Sequence, residues 1–242
     1  MTFASSLACS PPRSSYTATI AAPSSVFLPK EHGSWSLALE PVLLGLLIAP
    51  SGSGVALAVA AVAGFFSRRP LKAALCRSSQ PRPGALTAAI LLSLCACAGL
   101  SEAATMAGAI KLWPLLLAVP FGGLFVYFDA QGDSREAAAE LAGSTAFAFL
   151  PAAFATLAGW PVPLALALAS ITITRSVPTV ITIRTYIRLR KGKSMKAVLP
   201  VLAALVGFIT VVVLVTLRQI PWLVILGVCL LLARTVGLLS KR

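Results

Sequence analysis

Acid is scarce in this 242-residue chain, with seven Asp and Glu against twenty Lys and Arg. Histidine occurs once, and the five cysteines (Cys9, Cys76, Cys95, Cys97 and Cys229) form no CxxC pair. A zinc centre of the usual Cys/His composition is therefore not expected, and the cysteines read as reduced structural thiols. Charge of either sign is rare, at 11% of residues, where a soluble domain carries about 25%. No segment alternates apolar and polar residues in the manner of a transmembrane strand, which excludes a β-barrel. Residues 1–29 hold no acid but seven serines and four prolines. They have neither the basic start nor the long apolar run of a secretory signal, and Arg is too sparse for a typical transit peptide. They read as a disordered cytosolic tail ahead of a single transmembrane domain over 30–242.

What the chain has in abundance is apolar surface, with 58% hydrophobic residues and a mean hydropathy of +0.91. A soluble core cannot hide that much, so the expected fold is all-α, a polytopic membrane helix bundle. A spanning helix needs roughly 20 apolar residues. Eight candidate spans lie near 34–50, 53–67, 85–101, 112–128, 141–159, 161–183, 197–217 and 220–239. The second is short enough to be tilted or re-entrant.

The net charge of +13 would suggest nucleic acid in a soluble protein. Here its distribution points to topology instead. With the N-terminus inside and eight crossings, cytosolic segments hold sixteen Lys and Arg and external turns hold two, Lys111 and Arg218. This is a positive-inside pattern, with contact to anionic lipids and no nucleic-acid partner implied. Both termini are expected in the cytosol of a cell whose plasma membrane the protein spans. Trp113, Trp160 and Trp222, each beside a proline, fall at the opposite helix ends, as an interfacial belt would.

Three polar stretches need an account. In "PKEHGSWSLALEP", residues 29–41, His32, Ser36 and Glu40 share one helical face. Glu40 is about 12 Å beyond His32, inside the hydrocarbon, where a carboxylate faces a cavity or a partner. Pro41 is placed to kink the helix there. In "ITRSVPTVITIRTYIRLRKG", residues 173–192, Arg175 lies within the sixth span, about 21 Å from its outer end. That depth matches Glu40, which makes Glu40 and Arg175 a candidate buried pair. Arg184 and Arg188 add a basic face able to grip phosphate. In both stretches a structural role stands beside the functional one: an ion pair for the first, a snorkelling helix end for the second.

The third stretch, "YFDAQGDSREAAAELAG" at 127–143, contains four of the seven acids, Asp129, Asp133, Glu136 and Glu140. Their spacing would make one stripe on an unbroken helix, although Gly132 is a point of interruption. Ser134 is a candidate N-cap for the next helix, and an acid at its start complements the dipole. This explains Glu136 well, Glu140 poorly and Asp129 not at all. Carboxylates at helical spacing can also hold Mg²⁺, with substrate phosphates completing the octahedron, so Asp129 and Asp133 are candidate metal ligands. All three stretches, with Arg68, Arg69 and Lys72 of "SRRPLK", fall at cytosolic helix ends. A cytosol-facing polar chamber would gather His32, Glu40, Arg68, Asp129 and Arg175.

"PKEHGSW", "DAQGDSR" and "RSVPTVITIRTYIRLRKG" together resemble the YwiC-like family of bacterial integral membrane proteins over about residues 29–192. That resemblance implies a polytopic plasma-membrane protein and no particular activity. The acidic stretch is also similar to the second aspartate-rich motif of the UbiA-type intramembrane prenyltransferases. This implies Mg²⁺ and a prenyl diphosphate in a cytosol-facing cavity. The loop where their first acidic motif belongs reads "SRRPLKAALCRSSQ" and has no acid, so Arg68, Arg69 and Lys72 would have to meet a diphosphate directly. The combined expectation is a cytosol-facing site for an isoprenoid or lipid phosphate. Mg²⁺-dependent prenyl transfer, small-molecule transport and a structural membrane partner are the alternatives.

Overall fold

The computed structural model describes residues 32–75, 83–131, 136–192 and 198–240. They fold as α1 (His32–Ile48), α2 (Gly52–Leu75), α3 (Pro83–Ala107), a 3-10 turn (Ala109–Leu112), α4 (Trp113–Ala130), α5 (Ala137–Ala148), α6 (Leu150–Leu157), α7 (Val162–Arg190), α8 (Val198–Thr216) and α9 (Leu223–Ser240). Strands are absent among the described residues. Among the described residues, seven spans are long and apolar enough to cross a bilayer, with α5 and α6 forming one of them, and Leu39–Ile48 of α1 is a shorter apolar segment. The protein is an all-helical, polytopic membrane bundle.

α5 and α6 form the centre. Their apolar stretch is 61% buried, against 33% or less for every other span. The cause lies in "AAAELAGSTAFAFLPAAFATLAG", residues 137–159, whose small side chains let neighbouring helices approach closely. Pro151 has no N–H to give and separates the two helices, yet Phe149 keeps a helical backbone (φ −82°, ψ −12°) and carries the span across the break. Phe154 is fully buried in the largest apolar cluster. Glycine is needed opposite it, because a Cβ on Gly45 of α1 would run into its ring. Gly99 of α3 is constrained in the same way: an added Cβ would lie 2.7 Å from the Ala56 carbonyl oxygen of α2.

Side-chain links sort the helix ends into two layers. At one end, the Thr156 hydroxyl donates to the Lys111 carbonyl at 2.6 Å, and α6 stops in a tight turn at Gly159 (φ +84°). Trp113, Trp160 and Trp222 stand at helix starts or turns of this end. The other end holds the C-termini of α2, α4 and α7 and the start of α5. With 29 residues, α7 is about 43 Å long and outruns a hydrocarbon core of about 30 Å. Its basic last turns extend beyond the core.

Two expectations need correcting. α2 does not end at residue 67 as a short piece; it runs 24 residues through Pro70 and is long and apolar enough to cross a bilayer. Its charged end is helical because Asp129 offsets Arg68 and Lys72, a contact invisible to local hydropathy. The four acids do not share one helical stripe: α4 ends at Ala130 and α5 begins at Ala137.

Candidate functional site

The site is assembled from two facing i, i+4 pairs. Arg68 and Lys72 lie one turn apart on α2, and Phe125 and Asp129 lie one turn apart on α4. Arg68 Nε meets Asp129 Oδ2 at 3.1 Å. Lys72 Nζ meets Asp129 Oδ1 at 3.2 Å and also donates to the Asp129 carbonyl oxygen at 2.7 Å. The Arg68 guanidinium lies 4.5 Å from the centre of the Phe125 ring, an attractive cation–π arrangement. Asp129 is buried, its side chain 10% exposed, while those of Arg68 and Lys72 are 32% and 38% exposed. One shielded negative charge therefore sits beneath two accessible positive ones, a net of +1 over these three side chains. Arg69 is the next residue of α2 and has further contacts of its own.

Two other acid–base pairs involve α7. Glu140, in the first turn of α5, accepts from Arg184 Nε at 2.6 Å. Glu40 Oε1 of α1 pairs with Arg175 Nη1. Equal depth thus did place Glu40 beside Arg175, but not in the protein interior: their side chains are 42% and 46% exposed. Arg188 is exposed near the end of α7, where Arg190 stacks on Tyr186 at 5.2 Å. Glu136 occupies the N-cap position of α5 without a side-chain capping bond, and Ser134 lies outside the described residues. His32 opens α1, with its side chain outside the described part. Of the expected chamber, Arg68 joins Asp129 and Arg175 joins Glu40, as two separate ionic contacts.

Sequence reasoning did not single out Phe125 or the Glu140–Arg184 contact. The i, i+4 spacing of Phe125 and Asp129 was a usable signal for the first. Nothing local signals the second, whose partners are 44 positions apart.

Magnesium fits the described residues poorly. Both Asp129 oxygens already face cations, and a metal would have to compete with them. No group of three His, Cys, Asp or Glu side chains among the described residues is placed to hold a metal. Asp133 lies outside the described residues.

The model of the YwiC-like protein family matches residues 28–155, more than half of the chain. The chain belongs to the YwiC-like family. The match includes "PKEHGSW" and "DAQGDSR" and stops before the arginine-rich segment of α7. No curated protein and no solved structure shows a match. Within this YwiC-like chain, "PKEHGSW" leads into Glu40 of α1, and "DAQGDSR" opens on Asp129 at the end of α4.

Proposed function

We propose that this YwiC-like membrane protein binds an amphipathic phosphate, of the isoprenoid or lipid class, at the end of the bundle formed by α2, α4 and α7. The observation that carries the reading is the Arg68–Lys72–Asp129 contact. The buried carboxylate fixes two cations without neutralising both, which leaves net positive charge at the membrane boundary. Arg guanidinium and Lys ammonium are the side chains suited to phosphate oxygens, and the apolar bundle beside them accommodates a tail. Arg69 and Arg188 add basic charge at the same end of the bundle.

The proposed orientation puts this end in the cytosol of a plasma-membrane protein, on the strength of the Lys and Arg distribution. Cysteines introduced at 188–190 should resist an impermeant thiol reagent in intact cells, and cysteines at 160–162 should react. Labelling at 188–190 from outside reverses the orientation.

Binding itself is tested by the melting temperature of purified protein with a prenyl diphosphate, measured with and without Mg²⁺. A ligand selective for the native state raises it by mass action. The expected result is a rise without Mg²⁺ that is lost in the Arg68→Gln/Lys72→Gln variant. No rise in the wild type, or an equal rise in the variant, counts against the site.

A further inference from the structure

Arg234 is the lone charge within α9, Leu223–Ser240, and it is exposed. The ion pairs among the described residues join Arg68, Lys72, Arg175 and Arg184 to carboxylates, and none includes Arg234. An unpaired arginine facing hydrocarbon is costly, and it settles where its guanidinium reaches a polar partner.

A neighbouring contact sets the depth. The Thr182 and Thr235 hydroxyls meet at 3.4 Å in a buried position between α7 and α9. Thr182 is about 30 Å along α7 from Val162, the thickness of a hydrocarbon core. Arg234, next to Thr235, is about 18 Å along α9 from Trp222, so it lies in the half of the bilayer nearer the α7 C-terminus, toward whose headgroups a snorkelling guanidinium can reach.

Arg234 lines a small notch between α7 and α9, with Thr179, Thr182, Ile183, Leu231 and Leu238 among the other walls. The hydroxyl protons in it are committed. Thr179 donates to the Arg175 carbonyl at 2.6 Å and Thr235 to the Leu231 carbonyl at 2.9 Å, leaving Thr182 to donate to Thr235. Arg234 is thus the donor the notch can offer to an anion, while Ile183, Leu231 and Leu238 supply an apolar wall.

We propose that this notch is a lipid-binding site, separate from the Arg68–Lys72–Asp129 site, that takes the phosphate headgroup of an anionic lipid on Arg234 and lays an acyl chain along Ile183, Leu231 and Leu238. Arginine suits phosphate because its planar fork gives two parallel charged hydrogen bonds. The ligand chemistry is a phosphate monoester or diester, and attachment to an acyl chain distinguishes it from free phosphate.

The test is native mass spectrometry of detergent-purified protein titrated with phosphatidic acid, with phosphatidylcholine and inorganic phosphate as comparison arms. It is performed on wild type, Arg234→Gln, Arg234→Lys and Leu238→Trp, each also in the Arg68→Gln/Lys72→Gln background. Expected is one phosphatidic acid bound about tenfold more weakly in Arg234→Gln, as for loss of a charged hydrogen bond, and largely retained in Arg234→Lys. Leu238→Trp, which fills the notch while keeping the charge, should also weaken it. The effect should persist in the double-variant background, so that failure of the first site and failure of this one are told apart. Equal phosphatidic acid binding in Arg234→Gln overturns the proposal. So does equal competition by inorganic phosphate, or an Arg234 effect that vanishes in the double-variant background. If Arg234→Gln fails to fold, the Arg234→Lys and Leu238→Trp titrations decide.

Discussion

Asp129 and Glu40 are both carboxylates on apolar helices, and both face arginine, yet their surroundings differ. Asp129 is shielded by protein and meets two cations from a single neighbouring helix. Among the described residues Glu40 meets one cation, and both members of that pair are more than two-fifths exposed at the bundle surface. For Asp129 the protein sets the dielectric; for Glu40 the surrounding medium does. The first arrangement has charge left over for a ligand, whereas the second is electrically closed. That difference makes the α2–α4 contact the candidate site and makes Glu40–Arg175 a side-chain link between α1 and α7.

The largest expected effect of breaking this comparison is at Asp129. Asp129→Asn removes the shielded charge and leaves Arg68 and Lys72 facing each other without a counterion. Breaking a buried ionic contact from one side should cost about 3 kcal/mol of stability, read as a lower midpoint in denaturant or heat. A loss no greater than that of Glu40→Gln would erase the distinction between the two sites.

A smaller effect is expected for Glu40 and Arg175. In lipid nanodiscs, a double-mutant cycle of Glu40→Gln and Arg175→Gln should give a coupling of about 1–2 kcal/mol. The same cycle in a small, water-permeable detergent micelle should give less, since water then stabilises the stranded charge. Additive losses in both media would mean that the pair contributes nothing. The smallest effect belongs to Glu140→Gln. Its carboxylate is 38% exposed, and loss of its contact with Arg184 should cost about 1 kcal/mol. A loss as large as at Asp129 would show that carboxylate burial does not explain the difference between these two contacts.

Much of the fold was legible because a bilayer imposes its thickness on every crossing. The apolar runs placed most span starts to within a few residues but stopped short of the C-terminal ends of α2, α3 and α7 by six to eight residues, and the Lys and Arg distribution separated two ends that side-chain contacts also separate. The exceptions arise from long-range pairing. α2 extends well past Ser67 because its basic end has a counterion on α4, and hydropathy along one segment cannot register a charge supplied by another. The same reason explains Asp129, which looked unaccounted for in its own helix. It is the partner of Arg68 and Lys72, more than fifty positions away. Glu40 and Arg175 could be matched by counting residues because both lie at similar depth, but counting gives depth and not direction, so their exposure was not legible. Arg184 read as part of a phosphate-gripping face, whereas its Nε is engaged by Glu140.

The central claim is that Arg68 and Lys72 take a phosphate directly, with Asp129 holding them in place. The most direct measurement is the dissociation constant of a prenyl diphosphate for purified wild type, Asp129→Asn and Arg68→Gln/Lys72→Gln, each with Mg²⁺ and with a chelator. Binding in wild type should survive chelation. Asp129→Asn, where folded, should still bind with the chelator present, because the two cations that meet the phosphate remain. The double variant should bind at least about tenfold more weakly, the loss expected for charged hydrogen bonds. Binding that requires Mg²⁺ and disappears in Asp129→Asn would contradict the account and make Asp129 a metal ligand.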